Sequence, residues 1–241
     1  CGDCSVQSNC VSIEPLETEF GRKRQINQSS CNKDFSCVKG FCPSFVTVEG
    51  ARPKRRALPA ISDEKLPEPA VLALTRPYNI AITGVGGTGV LTIGAIIGMA
   101  APLEGKAGLI QDFSGLAQKG GAVLSHVRLA AEPGEVASAQ IPSGEADLLM
   151  AADTVVAASK DGVSLMSPDR TKAVLNTHLA PVSGFVFNRD FDFHEKDVLD
   201  TIARGALGET ERVDFGRFAE IVCGDAIAAN IMMVGFACQK G

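Results

Sequence analysis

From residue 78 onward, short apolar runs alternate with glycine-rich breaks and with longer amphipathic stretches. Residues 79–83 (NIAIT) are a brief run with β-branched residues that stops at a glycine cluster, which predicts a strand. Residues 90 to about 101 are almost wholly apolar and too long for a strand. They predict a helix that stops before Pro102, because a proline cannot donate into the helical ladder. Residues 107–111 (AGLIQ) read as the next strand, and 122–129 (AVLSHVRL), 147–151 and 173–177 as further strands. Helical spacing covers 160–166, 195–206, 215–222 and 225–238. Strand, glycine loop, helix, strand is the opening of a parallel sheet, so the expected class is α/β with a Rossmann-like, mostly parallel sheet. No internal repeat of solenoid length is present.

The texture before residue 78 is different. Residues 1–48 are rich in cysteine and turn-formers and show little periodicity, so no helix or strand is predicted there. So short a stretch buries too little apolar surface to fold alone, and a metal centre would have to stabilise it. Residues 49–77 hold five prolines and the run Lys54-Arg55-Arg56, the composition of an extended linker whose basic run is solvated. The expected organisation is therefore a Cys-rich segment over 1–48, a linker over 49–77 and a Rossmann-like domain over 78–241.

The bulk numbers narrow the class. Hydrophobic residues make up 45% and charged residues 21%, a globular composition. The first 78 residues carry 11 Lys and Arg against 9 Asp and Glu, the remainder 12 against 19. That balance argues against a nucleic-acid binder. The longest apolar stretches, 90–102 and 226–238, are too short for an ordinary membrane span. A soluble cytoplasmic protein is the expectation, and in a reducing compartment clustered cysteines point to metal rather than to disulfides.

Six of the eight cysteines (Cys1, Cys4, Cys10, Cys31, Cys37 and Cys42) lie in the first 42 residues, with Pro43 after the last. Several thiolates on short loops, ending in Cys-Pro, suit an iron–sulfur cluster. Zinc is the rival, but it usually takes two C-x2-C knuckles and only Cys1-x2-Cys4 is present. Both cysteine runs are longer than the ferredoxin pattern, and six thiolates complete one four-iron cluster but not two, so one or two clusters remain open.

Gly84-Val85-Gly86-Gly87-Thr88-Gly89 satisfies G-x-G-x-x-G after a strand and before a helix, where backbone N–H groups can meet a phosphate. Asp112 follows where a ribose-binding acid would lie, so an NAD or FAD site is one reading, and plain helix–strand packing is the other. Gly94 and Gly98 inside the helix read as packing glycines. A second cluster, Lys119-Gly120-Gly121, offers a cation and a backbone nest for an anion, or else a plain turn. His126 on a strand reads as structural, His178 sits at a strand's carboxyl end where ligands gather, and His194 reads as surface.

Three stretches together resemble a known family: CGDCSVQSNCVSIEPLETEFGRKR with SSCNKDFSCVKGFCPSFVTVEG, then ITGVGGTGVLTIGAIIGMAA, then GLAQKGGAVLSHVR. They are similar to the fused indolepyruvate:ferredoxin oxidoreductases, thiamine-diphosphate-dependent enzymes of the 2-oxoacid:ferredoxin oxidoreductase family. The resemblance extends to NTHLAPV and CGDAIAANIMM. It implies that Cys1, Cys4, Cys10, Cys31, Cys37 and Cys42 map onto the 4Fe-4S region. It also implies that Gly84 to Gly89 and Lys119 to Gly121 are gamma-domain loops facing coenzyme A or the thiamine-binding domains, and not a nicotinamide site. The implied reaction is oxidative decarboxylation of an aryl 2-oxo acid to an acyl-CoA with reduction of ferredoxin. The implied partners are the thiamine-binding domains of the same enzyme, ferredoxin and further copies in a homo-oligomer. The thiamine signature itself, GDG followed some way on by Asn, is missing: Gly224-Asp225-Ala226 has the wrong third residue and Asn230 comes too soon. This chain alone is therefore expected to be inactive, an internal piece with no catalytic residue of its own. The alternatives are an NAD(P)- or flavin-dependent iron–sulfur reductase and a zinc-stapled scaffold without activity.

Overall fold

In a computed structural model, the structure describes residues 12–29, 31, 33–39, 48–52, 67–115, 121–178 and 183–241. A hairpin of β1 (Ile13–Leu16) and β2 (Lys23–Ile26) comes first, followed by a 3-10 turn at Ser36–Lys39. A six-stranded sheet follows, built from β3 (Tyr78–Val85), β4 (Ala107–Ser114), β5 (Ala122–Ala130), β6 (Leu148–Ala151), β7 (Lys172–Asn176) and β8 (Glu211–Val213). Its helices are α1 (Val90–Leu103), α2 (Thr154–Ala157), α3 (Lys160–Ser164), α4 (Ser183–Phe187), α5 (Glu195–Gly205), α6 (Phe215–Val222) and α7 (Ala229–Lys240).

The strand order is β4-β5-β3-β6-β7-β8. β3, β6, β7 and β8 pair in parallel, while β5 runs antiparallel to both β3 and β4. β4 therefore runs with β3, but one strand away from it. The sheet is mostly parallel, as expected, with β5 the one strand that runs against the others.

Both faces of the central strands are buried, which is why they read as near-continuous apolar runs. Ile80, Ile82, Val127, Met150 and Val174 face one core with α1, α6 and α7. Ala81, Leu149, Ala151, Ala173 and Leu175 face the other, which holds Ile141 and Ile202 of α5. The alternation along β3, β6 and β7 divides the two cores residue by residue.

Helix α1 lies unusually close to the sheet. A Cβ on Gly94 would stand 2.5 Å from Ser125 Oγ, and one on Gly98 would stand 2.3 Å from Ile110 Cδ1. The packing reading of these glycines is thus the right one. The helix does not stop before Pro102 but includes it. The Gly98 carbonyl, which Pro102 cannot donate to, is turned to the strand side and lies 3.0 Å from where a Cβ on Gly108 would be.

Three strands, β1, β2 and β8, and two short helices, α2 and α4, escaped the sequence pattern. The β1–β2 hairpin pairs Ile13 with Ile26 through Leu16 with Lys23. Its apolar side chains are few, and they pack outward from the hairpin: Ile13 and Cys37 are buried with Phe185 of α4, beside Phe191 and Phe193. Short β8 carries only a charged pair and one valine, too little for an alternation to register.

Asp147, just before β6, ties the sheet's lower end together. It accepts from Arg76 (2.7 Å), Arg170 (2.8 Å) and the Asn79 N–H (2.8 Å) while being 5% exposed itself. Burial alone would raise its carboxyl, but the Arg170 and Arg76 hydrogen bonds outweigh it and hold the group below the usual carboxylate range. Asp147→Ala should lower stability by about 2–4 kcal/mol, the cost of leaving a buried donor and two guanidinium groups unmatched, reduced because Arg76 is largely exposed. Arg76→Ala should cost well under half of that. Urea unfolding of the two variants checks the ranking, and equal losses would mean that the carboxylate is not the hub.

Candidate functional site

Glycines 84–89 leave β3 and turn into α1, and the turn closes through specific contacts. Gly86 N–H donates to the Gly121 carbonyl (2.8 Å), Thr88 Oγ1 donates to the Val85 carbonyl (2.7 Å), and Gly87 and Gly89 adopt φ of 89° and 91°. Those two positions need the left-handed region, which a side chain disfavours. Gly84 is required for another reason, since a Cβ there would lie 2.3 Å from Val90 Cγ2. Gly86 is less confined: a Cβ would meet only ordinary contacts with Gly121 and Val123. A larger residue at Gly86 would therefore act by filling the space beyond the loop rather than by straining the turn.

That space is a cleft of about 450 Å³, lined by Val85, Gly86, Gly87 and Gly89 of the loop, by Val90, Leu91 and Thr92 of α1, and by the two ends of the β4–β5 connection. Those ends are Ser114 and Gly115 on one side, Gly121 and Val123 on the other. The first intrahelical bond of α1 runs from Ile93 N–H to the Gly89 carbonyl, so the earlier N–H groups lack a partner within the helix. They and the positive end of the helix dipole give the cleft a preference for anions, with no charged side chain among its described lining residues.

Of the expected site residues, Val85, Gly86, Gly87, Gly89 and Gly121 line this one cleft, Gly84 sits in the packed base of the loop, and Thr88 belongs to the turn but not to the lining. Lys119 and Gly120 lie outside the described residues, as do Cys1, Cys4, Cys10 and Cys42. Cys31 accepts the Lys33 N–H at its sulfur (3.3 Å), and Cys37 is buried against Ile13 and Phe185. Among the described residues no three His, Cys, Asp or Glu side chains converge as metal ligands do. No described helix is long and apolar enough to cross a membrane.

Asp112 does not sit where a ribose-binding acid belongs. β5 occupies the place next to β3, and Asp112, opposite Ser125 on β4, is exposed and one strand removed from the glycine loop. The dinucleotide fingerprint is thus formal in this chain, lacking the neighbouring parallel strand that supplies its acid.

His126 is 3% exposed and beside the Phe113 ring (4.8 Å between centroids). Ile141 N–H donates to its Nδ1 (3.0 Å), which places the proton on Nε2, and burial pushes its pKa below the ordinary value. The structural reading of this histidine holds. His194 is exposed, next to Asp192 and Asp197.

His178 is neither catalytic-looking nor idle. From the carboxyl end of β7 it reaches the hairpin, with Nε2 2.9 Å from Glu14 Oε1. Glu14 also accepts from Asn27, whose amide donates in turn to Glu220 of α6 (2.7 Å). Arg24 and Arg22 donate to the Phe185 and Phe191 carbonyls (2.8 Å each). Together these polar contacts fasten the hairpin of the Cys-rich segment to the carboxyl-end side of the sheet.

Two asparagines carry weight that sequence reading missed. Asn230, at the start of α7, donates to the Thr88 carbonyl (2.7 Å) and so holds the glycine loop from the far end of the chain. Asn176, ending β7, accepts from both His178 N–H and Phe215 N–H. The Thr88 carbonyl and the Phe215 N–H are brought to these side chains by the fold, so neither contact has a local signal.

Residues 79–241 match the family described as pyruvate ferredoxin/flavodoxin oxidoreductase. The chain is 33% identical over 163 residues to the indolepyruvate oxidoreductase subunit IorB of Methanothermobacter thermautotrophicus, covering 66% of this chain and 77% of that one. To the subunit of the same description from Archaeoglobus fulgidus it is 32% identical over 158 residues, covering 65% and 74%. The crystal structure of pyruvate oxidoreductase subunit PORC from Thermotoga maritima superposes with a TM-score of 0.47 at 19% identity, covering 67% of this chain and 75% of that one.

The Glu14–His178 pair makes hairpin docking pH-dependent. The hydrogen bond to Glu14 raises the His178 pKa above its ordinary value of about 6.5, against burial, with Asp214 and Glu220 adding to it. Burial alone would raise Glu14, yet the bonds from His178 and Asn27 bring it below its ordinary value of about 4.3. A raised histidine stabilises docking below pH about 6.5, and that contribution is lost as pH rises through its folded pKa. The lowered carboxylate stabilises docking above pH about 4.3, and that contribution is lost as pH falls through its folded pKa. Amide protection of residues 13–26, corrected for intrinsic exchange, should therefore be greatest between those limits and decline on the alkaline side. His178→Gln should flatten the alkaline decline. An unchanged pH profile in that variant would show that the pair does not hold the hairpin.

Proposed function

The chain belongs to the pyruvate ferredoxin/flavodoxin oxidoreductase family, and on that premise we propose that it works within a 2-oxoacid:ferredoxin oxidoreductase acting on an aryl pyruvate such as indolepyruvate. In this reading the glycine-loop cleft receives a phosphate-bearing arm of coenzyme A. Thiamine-binding domains of the same enzyme close over the cleft, and the Cys-rich segment carries one or two 4Fe-4S clusters that pass electrons on to ferredoxin. The observation that carries the reading is the cleft at the start of α1, lying within the family-matched span and built from backbone donors without a charged side chain.

Iron–sulfur clusters supply one-electron transfer. The donor chemistry suits one: Cys31 receives a backbone N–H at its sulfur, a contact that favours a thiolate, and Lys33 and Phe35 beyond it take φ of 57° and 56°. Cys1, Cys4, Cys10, Cys37 and Cys42 would complete the donor set. Lys119 and Gly120 would bring a cation and a further N–H to the cleft rim, next to Gly121.

In the intact enzyme, Lys119→Ala should weaken apparent coenzyme A affinity by roughly 1–3 kcal/mol, the scale of one charge-assisted hydrogen bond, and leave cluster reduction unchanged. Gly86→Val should weaken it further by filling the cleft while leaving thermal stability nearly intact. Unaltered coenzyme A kinetics in Lys119→Ala, together with heat protection of the chain by NAD, would return the dinucleotide reading. Anaerobic reconstitution should give broad visible absorbance that bleaches with dithionite. Stoichiometric zinc with no uptake of iron would instead identify a zinc staple.

A further inference from the structure

The two ends of the sheet are finished differently. β8 is an edge of three residues with Glu211 and Arg212 on it, and Lys240 is bonded to Glu211 (2.6 Å). Short length and charge are the usual protections of an edge strand. β4, the opposite edge, is longer and carries a single charge, Asp112. Its eight residues pair with β5 in unbroken register from Ala107 to Ser114, with no bulge, proline, lysine or arginine within the strand. Among the described residues nothing pairs with its outer side.

Part of the apolar exposure of the chain lies at the same place. α1 crosses β4 where Gly98 meets Ile110 and Ala101 meets Gly108. Around that crossing Met99 is 70% exposed, Leu103 89%, Leu109 37% and Ile110 36%. α1 contains no charged residue at all.

We propose that the outer edge of β4 is a self-association surface on which a second copy of this chain pairs its own β4, antiparallel, about a two-fold axis at Leu109. In an antiparallel pair, facing residues share a side of the sheet, so such an axis must pass through a residue. The choice of residue follows from charge. Lys106 and Asp112 are the only charged residues over 106–114. An axis at Leu109 sets Lys106 of each copy against Asp112 of the other, Leu109 against Leu109, and Ile110 against Gly108. Axes at Ile110 or Gln111 oppose Asp112 to Gly108 or to Ile110 and match no charges. Lys106 now bonds the exposed Glu104 (2.6 Å), a surface pair that a cross-copy partner can replace. The axis at Leu109 also passes beside the end of α1, so that Met99 and Leu103 of both copies cover one another. The contact is isologous, and it joins the two six-stranded sheets into one.

The test is the oligomeric state of the full chain by sedimentation over a concentration series, with circular dichroism to verify folding of each variant. The wild-type chain should dimerise. Asp112→Lys and Lys106→Glu should each weaken dimerisation by about tenfold or more, because each sets like charges together at two symmetric places. The double variant K106E/D112K should restore it. A wild-type chain that is monomeric at every concentration overturns the proposal and assigns the edge to a different partner. Single variants that dimerise like wild type, or a double variant that fails to recover, overturn the axis at Leu109. The measurement uses neither substrate nor cofactor, so its outcome is independent of the reading of the cleft.

Discussion

The position of β5 governs the rest of the molecule. Because this one antiparallel strand lies between β3 and β4, the chain leaves α1 and travels one strand too far before it returns. The return brings Gly121 against Gly86, and that single backbone hydrogen bond sets one wall of the cleft opposite the start of α1. It also places Ser125 and Val127 under Gly94, so the helix can press onto β5 only because glycine stands there. It pushes β4 to the margin of the sheet and carries Asp112 away from the loop it would otherwise serve. A sheet with β4 beside β3 would have the same glycine motif and a different site.

Much of this was legible in the residues, and what was not has a physical cause. β3, the glycine turn and α1 announce themselves because β-branched residues, glycines and an unbroken apolar run follow one another within 25 residues. The direction of β5 has no such mark, since a strand buried on both faces has the same apolar composition whichever way it runs. The hairpin was unreadable because Ile13 and Ile26 find their partners in Phe185, Phe191 and Phe193, more than 150 residues away. His178 was placed correctly at a strand's carboxyl end, but its partner Glu14 comes from the Cys-rich segment. Asn230 was visible only as a failed thiamine motif, whereas its amide supports the very loop that the sequence had singled out.

The hairpin and the α/β part are joined by two different kinds of contact. Ile13, Cys37 and Phe185 form a small apolar cluster that favours proximity without specifying orientation. The Arg22 and Arg24 bonds to carbonyls, and the Glu14, Asn27 and His178 chain, are directional and fix the angle of approach. A short segment with little core of its own thus gains a defined seat from polar groups whose partners all come from beyond residue 170. The same seat puts Cys31 and Cys37 in constant relation to the carboxyl ends of the strands.

The bond from Asn230 to the Thr88 carbonyl spans 142 residues. Its two ends lie near the beginning and near the end of the sheet-forming chain, so the glycine turn cannot receive its last support until α7 has been made and docked. During synthesis β3, α1 and the β4–β5 pair emerge early and can form from neighbouring contacts. The turn they enclose stays unlatched until the ribosome has passed residue 230. Contacts of such sequence separation form late and slowly in folding. The region best placed to hold an anion thus takes one of its supports from α7, and a nascent chain carries the turn without that support until α7 has emerged.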